Sequence, residues 1–365
     1  MRDGRRTRVL VIDDSALMRQ VLTRLLSSDP DLEVVGAAPD PYIARDKIRA
    51  LAPDVLTLDV EMPRMDGLAF LEQLMRARPM PVVMVSSLTE AGAEVTLRAL
   101  ELGAVDFVAK PRIDVRERIH ELGAELIEKV KAAAAARVAP VAPPPAPPAS
   151  APPRPRPFRT TDTVVAVGAS TGGTEALRVL LAALPADAPG VVVVQHMPER
   201  FTRAFAERLD RLCTVRVKEA EDGDRVLAGH VLVAPGNFHL RLGRDGALVR
   251  ARVEGGEPVN RHRPSVDVLF HSAAEVLGPN AIGVIMTGMG NDGAQGLLAM
   301  REAGARTIAQ DPESCVVFGM PREAIALGAA ERVVPLARMA ESLLALARER
   351  EAGGPARPAP AAGRS

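Results

Sequence analysis

Aromatic residues are nearly missing from this 365-residue chain: there is no tryptophan, Tyr42 is the single tyrosine, and eight phenylalanines complete the set. Any core must therefore be aliphatic, built from Val, Leu, Ile, Ala and Met. Cysteine is equally scarce. Cys213 and Cys315 are too few and too far apart for a disulfide framework or a thiolate zinc site, and a buried, inert role is expected for Cys315. An excess of charge of one sign is also lacking, since 46 Lys and Arg balance 46 Asp and Glu. That balance removes the basic footprint of a nucleic-acid binder, so no nucleic-acid partner is expected. Long hydrophobic runs do not occur, and the opening MRDGRRTRVLVIDDS leads directly into a charged strand pattern. Neither a signal peptide nor a membrane anchor is expected, which points to a cytoplasmic protein that is not integral to a membrane.

What is present divides sharply. Between Pro140 and Pro157 fall 10 of the 31 prolines, in a stretch, AAAAARVAPVAPPPAPPASAPPRPRP, that can hold neither helix nor sheet. It reads as an extended tether, with a domain at 7–130 before it, a linker at 131–161 and a second domain at 162–347. The segment 348–365, rich in Ala, Gly and Pro, reads as a disordered tail. Both domains alternate short β-rich apolar runs with amphipathic helical patterns, which predicts α/β folds with doubly wound parallel sheets. In the first, strands are expected at Arg8–Ile12, Glu33–Ala37, Val55–Asp59, Val82–Ser86 and Asp106–Ala109. A helix is expected over Ser15–Ser27, with Leu17, Val21, Leu22, Leu25 and Leu26 on its inner face. In the second, strands are expected at Thr163–Gly168, Val191–Gln195, His230–Ala234, Ala281–Thr287 and Arg306–Ala309. The run FHLRLGRDGALVRARV departs from this pattern, its Asp245-Gly246 turn signalling an antiparallel hairpin.

Ligands of open α/β sheets sit at the carboxyl ends of strands. There the first domain places Asp13 and Asp14, Asp59, Ser86 and Lys110 on four different strands. Converging carboxylates repel unless a hard divalent cation joins them, while a hydroxyl and an ammonium suit a phosphoryl group. Locally the charge agrees: from Arg8 to Lys129 there are 15 basic against 21 acidic residues. The motifs VLVIDDSALMR, LTLDVEMPRMDG, VVMVSSLTE and VDFVAKP resemble the receiver domain of bacterial two-component response regulators, which has a flavodoxin-like sheet. The resemblance implies that Asp59 accepts a phosphoryl group from a histidine kinase. It also implies Mg²⁺ held by Asp13, Asp14, Asp59 and the Glu61 backbone carbonyl, with Ser86 and Lys110 contacting the phosphoryl oxygens and Ser86 acting as the switch hydroxyl.

In the second domain, TVVAVGASTGGTEAL is a strand, a glycine-rich turn and a helix. The spacing of Gly168, Gly172 and Gly173 does not match a dinucleotide fingerprint, and the lysine of a P-loop is missing. The same residues fit G-x-S-x-G, a tight turn that lifts the Ser170 hydroxyl above a sheet. His196 closes the next strand and can supply a base; Asp292, in MTGMGNDGAQ, can orient the imidazole, although its place before a helix also suits an N-cap. The order Ser…His…Asp differs from that of α/β-hydrolases, which disfavours that fold. His120, His230, His239, His262 and His271 are read as structural or surface residues; a place lining the cleft is the lesser alternative for His262, in NRHRPSVDVLF beside Arg263. Backbone N–H groups near Thr171 and Met289 are the candidates for an oxyanion hole.

VGASTGG, VVQHMP, HVLVAPGNFHL, RHRPSVDVLF and IMTGMGNDGA resemble the catalytic domain of the chemotaxis protein-glutamate methylesterases, the CheB family. The resemblance implies hydrolysis of glutamate γ-methyl esters and deamidation of particular glutamines on methyl-accepting chemotaxis receptors, with no cofactor for the hydrolysis. A receiver docked over Ser170 would exclude a receptor helix until phosphorylation loosened it. A DNA-binding output would need a helix-turn-helix and a basic face, and a nucleotide-binding output a different glycine spacing. A noncatalytic adaptor that only holds a receptor is the remaining alternative.

Overall fold

The computed structural model describes residues 5–62, 65–87, 89–110, 116–136, 138 and 163–353. Most of the proline-rich tether, and the chain after 353, lie outside the described residues. The first domain comprises β1 (Thr7–Ile12), α1 (Ala16–Leu26), β2 (Leu32–Ala38), α2 (Pro41–Leu51), β3 (Val55–Asp59), α3 (Gly67–Ala77), β4 (Val82–Ser86), α4 (Glu90–Glu101), β5 (Asp106–Ala109) and α5 (Arg116–Ala135). Its five strands are parallel in the order β2-β1-β3-β4-β5. Each residue of β3, β4 and β5 is buried, as expected of strands covered on both faces by crossover helices. Side chains start four of these helices: Ser15, Asp40, Asp66 and Thr89 each accept a backbone N–H of the first turn.

The second domain contains β6 (Val164–Ala169), α6 (Gly173–Ala182), β7 (Gly190–Gln195), α7 (Phe201–Leu212), β8 (Arg216–Glu219), β9 (His230–Val233), β10 (His239–Asp245), β11 (Leu248–Glu254), α8 (Val266–Leu277), β12 (Ala281–Ile285), α9 (Ala294–Glu302), β13 (Arg306–Gln310), α10 (Met320–Ala326), β14 (Arg332–Val334) and α11 (Met339–Gly353). Seven strands form a parallel sheet in the order β14-β13-β12-β6-β7-β9-β8, and β10 with β11 form the antiparallel hairpin. β6 lies where the winding reverses: the chain builds outward through β7 and then returns to add β12 on the other side. Such a switch point opens a crevice at the carboxyl ends of the two strands. The core is aliphatic, Phe201 and Phe270 being the bulkiest of its fully buried side chains.

Four expectations shift in detail. Met18, Leu22 and Leu26 form the buried face of α1, whereas Leu17 is 49% exposed, because the sheet selects one i, i+4, i+8 row. Helix α5 continues to Ala135, past the expected boundary at 130: alanine is the best helix former, and Ala132 and Ala133 are buried. Helix α11 continues to Gly353, past the expected domain boundary at 347. Glu349 there pairs with Arg306 and Arg332, and Arg350 donates to Asn280. In the hairpin Asp245 pairs with Leu248, so the two-residue turn is Gly246-Ala247, with Gly246 at φ +59°.

Helix α8 crosses β6 at Gly168, where an added Cβ would lie 2.2 Å from Val266 Cγ1. Gly168→Ala should therefore push α8 outward and cost about 1–3 kcal/mol. Urea denaturation checks this; an unchanged midpoint would show that the helix yields freely.

Candidate functional site

β1 leads straight into Asp13 and Asp14, and its neighbour β3 ends on Asp59, so three carboxylates meet with ligand oxygens within 4.8 Å of one another. Asp13 and Asp59 are buried and Asp14 is exposed. Burial pushes the Asp59 carboxyl up to about 6; the Asp13 charge adds to the rise and the Lys110 ammonium opposes it. Lys110 Nζ lies 2.6 Å from Asp59 Oδ2 and 3.3 Å from Asp13 Oδ2. Asp13 Oδ2 is buried and accepts no aligned hydrogen bond. Three carboxylates this close, two of them also paired with the Lys110 ammonium, make a donor set that suits a hard divalent cation. Glu61 donates its N–H to Asp59 Oδ1 at 3.2 Å, while its carboxylate accepts the Ser87 hydroxyl. The Ser86 hydroxyl donates to the Gly92 carbonyl at 3.2 Å in the first turn of α4.

The second cluster lies at the switch point. Ala169 pairs with Gln195, so the next residues, Ser170 and His196, emerge side by side from β6 and β7. The Ser170 N–H donates to the Thr287 carbonyl at 3.0 Å, and its own carbonyl accepts from Gly173 N and Gln195 Nε2. Behind it a Cβ on Gly288 would lie 2.7 Å from Ser170 Cβ, so this close approach requires glycine. Thr171 and Met289 flank the serine on the two loops, and no hydrogen bond to either backbone N–H forms among the described residues.

Asp292 reaches the site from the loop after β12. It caps a helix, but α8 in place of the α9 that follows it, whose N-cap is Gly293. Its Oδ2 accepts from His196 Nε2 at 2.8 Å and Val266 N at 2.6 Å; its Oδ1 accepts from Ser265 Oγ, Asn260 Nδ2 and Asp267 N. Burial opposes ionisation, yet these donors and the α8 N-terminus overcome it and hold the carboxyl well below the usual carboxylate range. An anionic Asp292 fixes the proton of His196 on Nε2. Nδ1 is left buried with no partner, a free acceptor on the side nearer the backbone.

Two neighbours complete the cluster: Asn260, which the sequence reading missed, and His262, for which a place lining the cleft was the lesser alternative. His262 stacks on His196, ring centroids 3.7 Å apart and planes 13° from parallel, and Asn260 bridges Asp292 and Asp267. The motif NRHRPSVDVLF holds both, but an Asn and a His in a loop carry no periodic signal. His239 is structural as expected, bonded to Glu257 O and Ser265 N. The His120 side chain lies outside the described residues.

The first domain covers this cleft. Asp106, which opens β5, accepts the Thr171 hydroxyl at 2.5 Å. Phe107 packs on Phe201 at 4.5 Å, with Lys129 Nζ 5.0 Å above its ring. Glu128 of α5 comes within 3.9 Å of His262 Nε2, and Glu101 pairs with Arg208. In this arrangement Ser170 and His196 are 7% and 8% exposed.

Two family models match the chain: the response regulator receiver domain over residues 9–121 and the CheB methylesterase over residues 165–343. A protein-glutamate methylesterase/protein-glutamine glutaminase of Bordetella bronchiseptica is 62% identical over 342 residues, 93% of this chain and 97% of that protein. One from Geobacter metallireducens is 59% identical over 92% and 94%. The crystal structure of the Thermotoga maritima CheB methylesterase catalytic domain, 43% identical, matches 50% of this chain and 98% of its own with a TM-score of 0.50. The chain belongs to the protein-glutamate methylesterase/protein-glutamine glutaminase family, the CheB methylesterases, with a response regulator receiver domain ahead of the catalytic domain.

Proposed function

We propose that this enzyme is a phosphorylation-gated serine hydrolase that demethylates glutamate γ-methyl esters, and deamidates particular glutamines, on methyl-accepting chemotaxis receptors. The observation that carries the reading is the His196–Asp292 pair, its Nδ1 unpartnered among the described residues, on the strand end next to that of Ser170. Nδ1 takes the Ser170 proton as the hydroxyl oxygen attacks the ester carbonyl. Asp292 holds the ring and stabilises the imidazolium, which then returns the proton to the departing methoxide and releases methanol. Water, deprotonated by the same nitrogen, frees the γ-carboxylate from Ser170. An amide enters by the same carbonyl chemistry and leaves as ammonia. The N–H groups of Thr171 and Met289, unengaged among the described residues, would stabilise charge growing on the carbonyl oxygen; losing one such donor typically costs about 10²–10³ in rate. No cofactor takes part in this hydrolysis.

In the receiver, Asp59 accepts a phosphoryl group from a histidine kinase. Asp13, Asp14, Asp59 and the Glu61 carbonyl would hold Mg²⁺, whose chemistry there is to neutralise phosphoryl charge. The convergence of the three carboxylates, with ligand oxygens within 4.8 Å of one another, supports that fit. Lys110 already touches the acceptor carboxylate. Ser86 would have to leave the Gly92 carbonyl to reach a phosphoryl oxygen. Gating follows from Asp106, Phe107 and Glu128 lying over the cleft: a receptor helix and the receiver compete for one surface. A tenfold change in activity needs only about 1.4 kcal/mol of differential stability. Among the described residues no helix is long and apolar enough to cross a membrane.

Two outcomes are expected. Ser170→Ala should reduce methanol release from methylated receptor membranes by more than about 10³-fold; near-normal turnover would end the proposal. Asp106→Ala removes the acceptor of the Thr171 hydroxyl and should raise unphosphorylated activity by about tenfold, since a hydrogen bond to a charged group contributes about 1.5–3 kcal/mol. Unchanged basal methanol release would show that this contact does not hold the receiver in place.

A further inference from the structure

The loop 259–262 is a four-residue turn closed by two backbone bonds, Val259 N to His262 O and His262 N to Val259 O. Its central residues, Asn260 and Arg261, stand at φ +52° and +69°. Two left-handed residues in a row are usual for glycine or asparagine, but the arginine must be held there at a cost of about 1–3 kcal/mol. The strained turn aims two side chains at one target. Asn260 Nδ2 lies 2.8 Å from Asp292 Oδ1 and 2.7 Å from Asp267 Oδ2, bridging two buried carboxylates. Two residues on, the His262 ring lies flat on His196 at 3.7 Å.

We infer that the Val259–His262 turn is a positioning clamp for hydrolysis, with Asn260 fixing the acid and the plane of the His262 ring fixing the base. The inference rests on the proposed Ser170–His196–Asp292 mechanism. The His196 ring needs such a clamp because, among the described residues, its one hydrogen bond is through Nε2 to Asp292, which leaves the ring free to rotate about that bond and swing Nδ1 away from Ser170. A stacked plate blocks this rotation without competing for Nδ1. Burial and the adjacent His196 pull His262 down to about 3, so it is a neutral plate at working pH. Asn260 supplies what a mobile water could not: one donor group shared between Asp292 and Asp267, which separates two carboxylates that would otherwise face each other.

The test uses the full-length chain with saturating small-molecule phosphodonor and Mg²⁺, methylated receptor membranes as substrate, and thermal unfolding as a control. His262→Ala and Asn260→Gly should each lower kcat by about 10–10²-fold with KM within about twofold of wild type. His262→Phe, which restores a flat ring without nitrogen, should recover kcat to within about threefold of wild type. The double variant His262→Ala/Asn260→Gly should cost far less than the product of the singles, because both act on one His–Asp unit. A full-rate His262→Ala would overturn the clamp, as would a well-folded His262→Phe as slow as the alanine variant. His196→Ala in parallel separates the two ideas: if it keeps wild-type kcat, the underlying mechanism has failed and the clamp with it.

Discussion

A buried carboxylate with five hydrogen-bond donors around it is the constraint on which the catalytic domain depends. Asp292 is 1% exposed, where an unsolvated charge would be costly unless its oxygens were paired. The fold surrounds it with the α8 N-terminus, the Ser265 hydroxyl, the Asn260 amide and His196. Each donor comes with a demand on the chain. Placing the α8 N-terminus there requires glycine at 168, where β6 passes under Val266, and placing the Asn260 amide requires a left-handed turn. The result is an acid that stays ionised and a histidine whose proton has one place to go.

One strand of four residues, β5, joins the receiver's acidic cluster to the cleft of the second domain. β5 begins with Asp106, bonded to the Thr171 hydroxyl beside Ser170, continues with Phe107 on Phe201, and ends just before Lys110, bonded to Asp59. About 13 Å of strand thus separates the Lys110–Asp59 pair from the Thr171 loop. Lys110 is the group most directly affected by a phosphoryl group on Asp59, since its ammonium already pairs with that carboxylate. Lys129 reinforces the far end: it donates to the Phe107 carbonyl at 2.6 Å and lies 3.3 Å from Asp106. Burial opposes its charge, but Asp106 and Glu125 raise the ammonium above its ordinary range, so it remains a fixed cation under the interface.

Strand ends were the most legible feature in the sequence, because a parallel strand is a short apolar run that stops at a polar residue, and chemistry collects where it stops. β3, β4 and β5 fall where expected, and Asp59, Ser86, Lys110, Ser170 and His196 all stand at or just beyond strand ends. Loops were legible only where glycine marked them, as around Asp292. Asn260 went unread, and His262 was offered the cleft only as the lesser alternative, because their positions follow from backbone angles and from the approach of distant elements, which have no period in the sequence. Leu17 failed for a related reason: five apolar residues fit one helical stripe, and only the sheet decides which row faces it. Nor could the chain report that Asp106 belongs to both domains, since an aspartate opening a strand looks like any other boundary residue.

The central claim is that the state of Asp59 controls access to Ser170. Methanol release from methylated receptor membranes, measured with and without a small phosphodonor and Mg²⁺ for wild type and Asp59→Asn, tests it directly. The account predicts that the phosphodonor raises wild-type turnover by tenfold or more (about 1.4 kcal/mol of differential stability) and leaves Asp59→Asn at its basal rate. Equal stimulation of both proteins, or stimulation of neither, would contradict it.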